Sequence, residues 1–226
     1  MEKVALSILG LGSRTTSFYL SELNELYNKK HGNYSTCPLL LLNANFNTIN
    51  SLLPKPSKAL NKVTQNYLTT IGKLGAKHIL VPNITLHETI DGLEGNIGIL
   101  HPVLLTIDRL KENNWSKIVL FGSIYSMKSN YINTYLSSTG IEVVLPTETD
   151  MVFIDHVRKE AYAGTESKTL IKNYHLLIKK YSGNYPVVLA CTELSILKPL
   201  SVENLVDMAQ LQMEQAIKVI SVKKTV

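Results

Sequence analysis

Short apolar segments alternate with longer amphipathic segments along almost the whole chain. The apolar segments are typical of buried parallel strands, and the segments between them have the spacing of helices that cover a sheet. The predicted strands are 4–10, 38–46, 78–81, 117–121, 141–145 and 187–190. The later predicted helices are 55–74, 103–113, 150–161, 167–181 and 202–220. Strands that are separated by helices predict an α/β fold with parallel sheets.

Two motif pairs recur at nearly the same distance along the sequence. Gly12-Ser13 and Gly122-Ser123 each follow a predicted strand and begin 110 residues apart, and Asn83 and Cys191 follow two other strands and are 108 residues apart. A near-constant offset favours two similar doubly wound lobes, which we expect to be related by a pseudo-twofold axis with a cleft between them. The predicted first lobe is 1–100 with 207–226, and the predicted second lobe is 101–206.

The strand predicted at 187–190 ends at a thiol, a hydroxyl and a carboxylate in consecutive positions, Cys191, Thr192 and Glu193. Ligands of open α/β sheets bind at the carboxyl ends of strands, and the N-terminus of a following helix stabilises a thiolate. Cys191 is therefore the candidate reactive group, although a lone cysteine is more often a small buried apolar residue. Cys37 precedes a strand, which is the wrong end for catalysis, and is interpreted as structural.

Composition argues against several classes of function. The chain has 23 basic and 18 acidic residues, for a net charge of +5, but only three of the basic residues are arginines and no basic run exceeds two. Nucleic-acid binding is therefore not expected. Two distant cysteines in 226 residues indicate a reducing, cytoplasmic setting. No apolar run approaches the roughly 20 residues of a membrane span, so no membrane association is expected.

Four motifs resemble those of the aspartate/glutamate racemase superfamily. They are a Gly-rich turn followed by adjacent aromatics (12–19), an N-T-x-H type motif (83–87), a G-T-x-Y-T-M type turn (122–127) and a G-C-T-E type motif (190–193). The resemblance extends over almost the whole chain. It implies two α/β lobes with the active site between them, commonly in a homodimer, and inversion of the α-carbon of an amino acid or small carboxylate without a cofactor.

The resemblance also implies roles for individual residues. Inversion removes a proton from one face of a carbon and returns one to the other, so a catalytic residue from each lobe flanks the substrate. Cys191 is the implied acid/base of the second lobe, and Asn83 occupies the catalytic position of the first. The residues implied to contact substrate are Gly12, Ser13, Asn43, Ile84, Thr85, Ser123, Tyr125, Thr192 and Glu193. No metal ligands are expected, because no histidine has a suitably spaced partner.

The sequence departs from the family pattern at the first catalytic position and at three others. Relatives usually have Cys, or sometimes Thr, in place of Asn83, and an amide cannot act as a base near neutral pH. The others are Ile84 in place of Asn, Gln212 in place of a His that follows Asp207, and Phe153 in place of a Lys. That Lys helps bind the side-chain carboxylate in racemases of acidic amino acids, so Phe153 favours a neutral substrate side chain. If the alignment slips by a residue or two, the nearby Arg158 or Lys159 would supply the cation in place of that Lys.

Three functions remain open from the sequence. The first is a racemase or epimerase that uses Cys191 with a substitute donor, such as Thr85 or a water, on the other face. The second is a single-cysteine relative of the kind exemplified by arylmalonate decarboxylase, in which one thiol protonates a carbanion from one side. The third is a small-carboxylate-binding homologue without turnover. Asn83 argues for the second and third functions.

Overall fold

The computed structural model describes residues 5–95 and 98–221. These residues form two compact units. Unit 1 contains the described residues up to His101 and those from Leu211 onward, and unit 2 is Pro102–Gln210. Parts of both ends of the predicted first lobe, including the first residue of the predicted strand 4–10, lie outside the described residues.

Unit 1 is built on a parallel sheet in the order β2-β1-β3. Its elements are β1 (Leu6–Gly10), α1 (Ser13–His31), β2 (Leu39–Asn43), α2 (Phe46–Asn50), α3 (Lys58–Lys73), β3 (His78–Leu80) and α4 (His87–Ile90). Ile99 forms an isolated parallel bridge with Ile79 of β3, next to the sheet edge. Every residue of β1 is buried, as expected for a central strand covered on both faces.

Unit 2 is built on a parallel sheet in the order β5-β4-β6-β7. Its elements are α5 (Pro102–Glu112), β4 (Lys117–Phe121), α6 (Ile124–Lys128), α7 (Asn130–Ser137), β5 (Glu142–Val144), α8 (Glu148–Ala163), α9 (Lys168–Ser182), β6 (Val187–Leu189), α10 (Thr192–Ile196) and β7 (Leu205–Asp207). The last helix, α11 (Met208–Ile220), begins in unit 2 and continues into unit 1.

The two sheets share one strand order. In each, the first strand along the chain lies between the second and the third, and a further segment pairs with the third: the Ile99 bridge in unit 1 and β7 in unit 2. The predicted α/β class with two similar parallel-sheet units is confirmed. The predicted offset pairs also fall at matching places, since Asn83 follows β3 and Cys191 follows β6.

The structure corrects the predicted helix 202–220. Within this range, Leu205–Asp207 form the strand β7, which pairs with β6. The helix begins only at Met208. Asp207 separates the two elements, because its Oδ1 accepts a hydrogen bond from the Ala209 N–H at 2.9 Å and so caps the first turn of α11. A three-residue strand at a sheet edge has too short a pattern to be separated from an adjoining apolar helix.

Two other predicted boundaries were wrong for a similar reason. The helix predicted at 55–74 begins at Lys58, because Ser57 Oγ accepts a hydrogen bond from Leu60 N at 3.1 Å and acts as the N-cap. The strand predicted at 38–46 ends at Asn43, and Asn45 caps the short helix α2 by accepting from Asn47 N at 3.2 Å. In both cases a local cap starts a helix at a position that the hydrophobic pattern does not mark.

Candidate active site

The loop after β6 brings a thiol and a carboxylate into direct contact. Cys191 is the N-cap of α10 and is 7% exposed. Its Sγ donates a hydrogen bond to Glu193 Oε2 at 3.0 Å, and Thr192 Oγ1 donates to the same oxygen at 3.2 Å. Three consecutive residues at the carboxyl end of a central strand therefore form one hydrogen-bonded cluster, where the sequence predicted the reactive group.

The surroundings of Cys191 favour the protonated thiol. Burial raises its pKa well above the ordinary value, and the charge of Glu193 and its hydrogen bond to the thiol raise it further. Arg158 and the backbone of Leu194 act in the opposite direction. We expected the N-terminus of the following helix to stabilise a thiolate. Helix α10 has only five residues, and a full negative charge 3.0 Å from the sulfur outweighs its dipole.

Arg158 is a cation of this site that the motifs did not identify. It lies on α8, which packs against α10, and its side chain is 25% exposed. Its Nε donates to Asp155 Oδ1 at 2.8 Å, while Lys159 Nζ lies 2.9 Å from Asp155 Oδ2. Burial lowers the pKa of Arg158, but Asp155, Cys191 and Glu193 more than offset this and raise it. The sequence alone indicates Arg158 only through a shifted alignment, as a substitute for the missing lysine.

The turn after β4 lies beside the strand end that carries Cys191. Ala190 N donates to Phe121 O at 2.7 Å, and a Cβ on Gly122 would lie only 3.3 Å from the Ala190 carbonyl oxygen. A side chain at this position would require its neighbours to move by a few tenths of an ångström, so glycine favours the close approach. Ser123 caps α6 by accepting from Ser126 N at 3.0 Å, and half-buried Tyr125 lies in the first turn of that helix. Unit 2 therefore brings the predicted turn 122–127 next to the predicted motif 190–193.

Asn83, the predicted first-lobe catalytic residue, stabilises its own loop. Its Oδ1 accepts a hydrogen bond from Leu86 N at 2.9 Å, and its backbone carbonyl accepts one from His87 Nδ1 at 2.9 Å. The side chain thus caps the turn that leads into α4 in the way that Asn and Asp side chains commonly do. An amide that is neutral and engaged with the backbone supplies no proton-transfer group here.

A buried histidine cluster supports the Asn83 loop from inside unit 1. His87 is completely buried. Its burial, with a smaller effect from the neighbouring His101, lowers its pKa to about 3. The ring is therefore neutral, and Nδ1 carries the proton that it donates to Asn83 O. Its ring is 5.1 Å from that of His101, whose Nε2 lies 3.2 Å from Asp91 Oδ1. His87 Nε2 is buried with no hydrogen-bond partner among the residues that the structure describes.

The other predicted residues of the first lobe lie near the carboxyl ends of β1, β2 and β3. Gly12 O accepts from Thr15 Oγ1 at 3.0 Å, and exposed Ser13 begins α1. Exposed Asn43 ends β2 beside Gly10, where a Cβ would lie 2.5 Å from Asn43 Oδ1. Ile84 is 3% exposed, so its side chain belongs to the core rather than to a polar site. Thr85 is half-buried.

Two further departures from the family pattern have structural roles. Gln212 is completely buried, accepts from Tyr19 OH at 2.7 Å and donates to Leu100 O at 2.7 Å. Gln212 therefore links α11 to α1 and to Leu100, which follows the bridge residue Ile99. Phe153 is half-buried and packs against the core of unit 2. Neither contact was predictable from the motifs, because each depends on partners far away in the sequence.

A buried carboxylate anchors the segment after Cys191. Asp207 is 5% exposed, and its Oδ1 accepts from Ser195 Oγ at 2.7 Å while Lys198 Nζ lies 2.6 Å from its Oδ2. Ser195 is the fourth residue of α10, and Lys198 follows that helix. The pairing of β7 with β6 thus fixes the position of α10, on which the geometry of the thiol depends.

Within 5–95 and 98–221, no three His, Cys, Asp or Glu side chains come together in a way that could hold a metal ion. None of the helices in these same ranges is both long and apolar enough to cross a membrane.

Neither a protein-family model nor a curated protein sequence matches the chain. Solved structures do match. A candidate Asp/Glu racemase from Yersinia pestis has 23% identity and a TM-score of 0.77, and the match covers 95% of this chain and 97% of that one. An aspartate racemase homologue from Pyrococcus horikoshii has 20% identity and a TM-score of 0.76, with 96% and 99% covered. The Picrophilus torridus aspartate racemase has 17% identity and a TM-score of 0.76, with 96% and 94% covered. The chain has the aspartate/glutamate racemase fold.

Proposed function

We propose that this protein is a cofactor-independent racemase or epimerase of an amino acid or related small carboxylate, with Cys191 as its principal acid/base. The observation that carries the proposal is the 3.0 Å hydrogen bond from Cys191 Sγ to Glu193 at the carboxyl end of β6. A buried thiol paired with a proton acceptor at this place can exchange protons with a substrate carbon. The proposal includes the homodimer that the family resemblance implies and the cytoplasmic setting that the two distant cysteines indicate.

The pair can transfer a proton in either direction. In one direction the thiol proton of Cys191 passes to Glu193, and the thiolate then removes the α-proton, leaving a carbanion and a reformed thiol. In the other direction the thiol donates its proton to the carbanion, and Glu193 re-protonates the thiolate. Arg158 supports the thiolate form electrostatically, since it lowers the pKa of Cys191 against the effects of burial and Glu193.

The first face of the substrate requires a different donor. Asn83 cannot transfer a proton, and its amide oxygen is used by Leu86 N. We assign the first face to the Thr85 hydroxyl or to a water, both of which are much weaker bases than a thiolate. Proton return from the Cys191 side is then faster than return from the Asn83 side, so the two enantiomers interconvert slowly compared with α-hydrogen exchange.

A second candidate is a reaction in which one thiol protonates a carbanion from one side only, as in a decarboxylase of malonate-type acids. The raised pKa of Cys191 favours it, because a thiol that rests in the protonated form is ready to donate. Such a reaction does not require a base on the first face, which agrees with the use of Asn83 as a cap.

The experiment follows α-hydrogen exchange and inversion together. The protein is incubated in heavy water with each enantiomer of a panel of neutral and acidic amino acids, and NMR and chiral chromatography measure the two rates. We expect exchange of one enantiomer to exceed inversion at least tenfold. Inversion as fast as α-hydrogen exchange, starting from either enantiomer, would show that an efficient first-face base exists. Carbon dioxide release from a substituted malonate, with no exchange of amino acids, would select the second candidate.

Thermal stabilisation by a panel member, with neither exchange nor decarboxylation, would show that the protein only binds its ligand. The same assay tests side-chain preference. Phe153 favours neutral side chains and Arg158 favours anionic ones, so stabilisation by aspartate or glutamate but not by neutral analogues would identify Arg158 as the group that faces the substrate.

A further inference from the structure

A groove of about 440 Å³ runs along the exposed side of α9 in unit 2. Lys168, Lys172 and Lys179 line it with positive charge, and its apolar lining includes Ile171, Leu176 and Val202. Leu176 is 56% exposed and lines the groove beside the lysines. The groove therefore combines an apolar surface with three cations.

The charge of the groove is uncompensated. Helix α9 contains no acidic residue, and no carboxylate lines the groove. The three lysines form no ion pair within the described part of the chain, whereas Lys180 on the same helix pairs with Asp150 at 2.9 Å. Positions 168, 172, 176 and 179 recur at intervals of four, four and three residues, so they share one helical face. An occupant of this face would meet cations along its whole length.

The spacing of the lysines selects among occupants. Lys168 and Lys179 are separated by eleven residues, or about 16 Å along the helix axis. A small anion could use only one or two of these charges. A second copy of this chain in a symmetric contact would place lysines against lysines. Nucleic acid is disfavoured because the surface is apolar between the charges and α9 has no arginine.

A bilayer is also a poor fit, because much of the apolar lining is recessed. Ile171, Pro199 and Val202 are half-buried between α9 and the segment after α10. A flat surface would reach Leu176 but not these residues, whereas a side chain from a helix could enter the groove.

We propose that this α9 groove binds an acidic amphipathic helix of a partner protein. Glutamates spaced like Lys168, Lys172 and Lys179 would pair with those lysines, and leucines on the same face would cover Ile171 and Leu176. Helix-in-groove recognition has this form, with apolar anchors at helical spacing and charges that set orientation. The inference does not depend on the proposed enzymatic function.

The test uses a fluorescein-labelled synthetic peptide of 18 residues. It has three glutamates spaced as the three lysines are, leucines beside them on the same face, and alanine and glutamine elsewhere; a control peptide has the same composition in scrambled order. Fluorescence anisotropy measures binding to the full chain at low and at physiological salt. We expect saturable binding of the patterned peptide, at least tenfold tighter than that of the scrambled one, and weaker at the higher salt.

The variants locate the site. Lys168→Glu/Lys172→Glu/Lys179→Glu should weaken binding at least tenfold. The matched control is Lys58→Glu/Lys62→Glu/Lys73→Glu, which changes the net charge equally on exposed positions of α3 in unit 1. It should weaken binding less than twofold. If the groove variant does not fold, Lys172→Ala and Leu176→Ser each replace it, with an expected loss of at least threefold.

Three outcomes would overturn the proposal. One is equal weakening by the groove and control variants, which would mean that net charge alone attracts the peptide. Another is equal binding of the patterned and scrambled peptides. The third is co-sedimentation with phosphatidylserine-containing vesicles that requires the groove lysines, with no saturable peptide binding, which would make this face a membrane contact.

Discussion

The strands β3 and β6 occupy the same place in their two sheets, yet the loops that follow them have opposite chemistry. After β6, the side chain of Cys191 bonds to an ionisable carboxylate, Glu193, at 3.0 Å. After β3, the side chain of Asn83 bonds to a backbone N–H, that of Leu86, at 2.9 Å. The first arrangement can exchange a proton with a ligand, and the second stabilises a turn. Equivalent topology therefore does not imply equivalent chemistry.

The difference extends to the groups behind each loop. The β6 loop is surrounded by charges, with Arg158 and Glu193 shifting the pKa of Cys191 in opposite directions. The β3 loop is supported by His87, which is buried and neutral. The thiol–carboxylate contact thus lies in unit 2, whereas the contacts of Asn83 in unit 1 are hydrogen bonds that stabilise a turn. Each of the following substitutions tests one side of this contrast.

The largest effect is expected at the thiol. Cys191→Ala should lower the rate of α-hydrogen exchange with the best substrate by about 10²–10⁴-fold, which is the usual contribution of a positioned acid/base. NMR in heavy water measures the rate. Cys191→Ala leaves the strand pairing of β6 intact, so circular dichroism and the melting temperature should stay close to those of the wild type.

Cys37→Ala is the matched control. Burial raises the pKa of Cys37 to about 11, and its backbone N–H is bonded to Asn24 Oδ1 at 2.9 Å at the edge of unit 1. Cys37 also precedes β2, away from the carboxyl ends of strands at which ligands of such sheets bind, so it is not expected to take part in exchange. Exchange should be unchanged in Cys37→Ala. An equal loss of exchange in both variants, with both folded, would contradict the assignment of Cys191.

Local sequence patterns predicted the framework and the position of the thiol. Continuous apolar runs identify buried parallel strands such as β4 and β6, and the adjacency of Cys191, Thr192 and Glu193 needs no tertiary information. The ionisation of Cys191 was predicted in the wrong direction. Its pKa depends on burial and on a side-chain contact with Glu193, which a dipole argument from helix position alone does not include.

Other features could not be predicted because they depend on distant partners. β7 becomes a strand by pairing with β6, and Gln212 becomes a buried bridge through Tyr19, which is 193 residues away. Arg158 acts on Cys191 only because α8 packs against α10. Asn83 was interpreted as an unsuitable base from its chemistry alone, and its contact as a cap depends on the position of Leu86 N.

The next largest effect concerns the pH dependence of stability, through His87. Its pKa is about 3 in the folded protein against an ordinary 6.5, so below pH 6.5 the unfolded chain binds a proton that the folded one does not. Stability is therefore lost as the pH falls from 6.5 towards 3, by up to about 1.4 kcal/mol per pH unit. Between pH 7 and pH 5 this amounts to about 2 kcal/mol, or roughly 30-fold in the unfolding equilibrium.

Urea unfolding at pH 7 and pH 5 measures this difference. His87→Asn provides the comparison, because its amide can still donate to Asn83 O but does not titrate. The variant should show a pH dependence smaller by about 2 kcal/mol than that of the wild type. His101 and Asp91, which adjoin His87, are retained in both proteins. An identical pH dependence in the two proteins would show that protonation of His87 does not lower the free energy of unfolding.

On the other side of the contrast, Glu193→Gln should make Cys191 easier to ionise. The substitution removes a negative charge 3.0 Å from the sulfur and keeps an oxygen that can accept the thiol hydrogen. We expect the pKa of Cys191 to fall, because the negative charge that opposes the thiolate is gone, and the thiolate fraction at pH 8 should rise about tenfold. The pH profile of iodoacetamide alkylation, followed by mass spectrometry, measures it.

Glu203→Gln is the control, because it removes an exposed carboxylate of the same unit. It should leave the alkylation profile unchanged. Arg158→Gln should move the profile in the opposite direction, since Arg158 lowers the pKa of Cys191. A profile for Glu193→Gln that is unchanged or shifted to higher pH would mean that burial alone keeps the thiol protonated.

The smallest effect is expected at Asn83. Asn83→Ala removes the acceptor for Leu86 N, and the loss of a capping side chain costs about 1 kcal/mol of unfolding free energy, or roughly fivefold in the equilibrium. The midpoint of urea unfolding should fall while the slope with denaturant stays the same. Under the proposed function, the rate of α-hydrogen exchange through Cys191 should be nearly unaffected, because an amide does not transfer the proton.

Asn83→Asp separates capping from catalysis. An aspartate oxygen accepts from Leu86 N as well as an amide oxygen does, so the stability of this variant should remain within a few tenths of a kcal/mol of the wild type. Under the proposed function it also introduces a base at the first-face position, and inversion should therefore rise relative to exchange. Wild-type stability in Asn83→Ala would contradict the cap. A fall in exchange equal to that of Cys191→Ala would mean instead that the amide takes part in the reaction, and the contrast between the two loops would no longer hold.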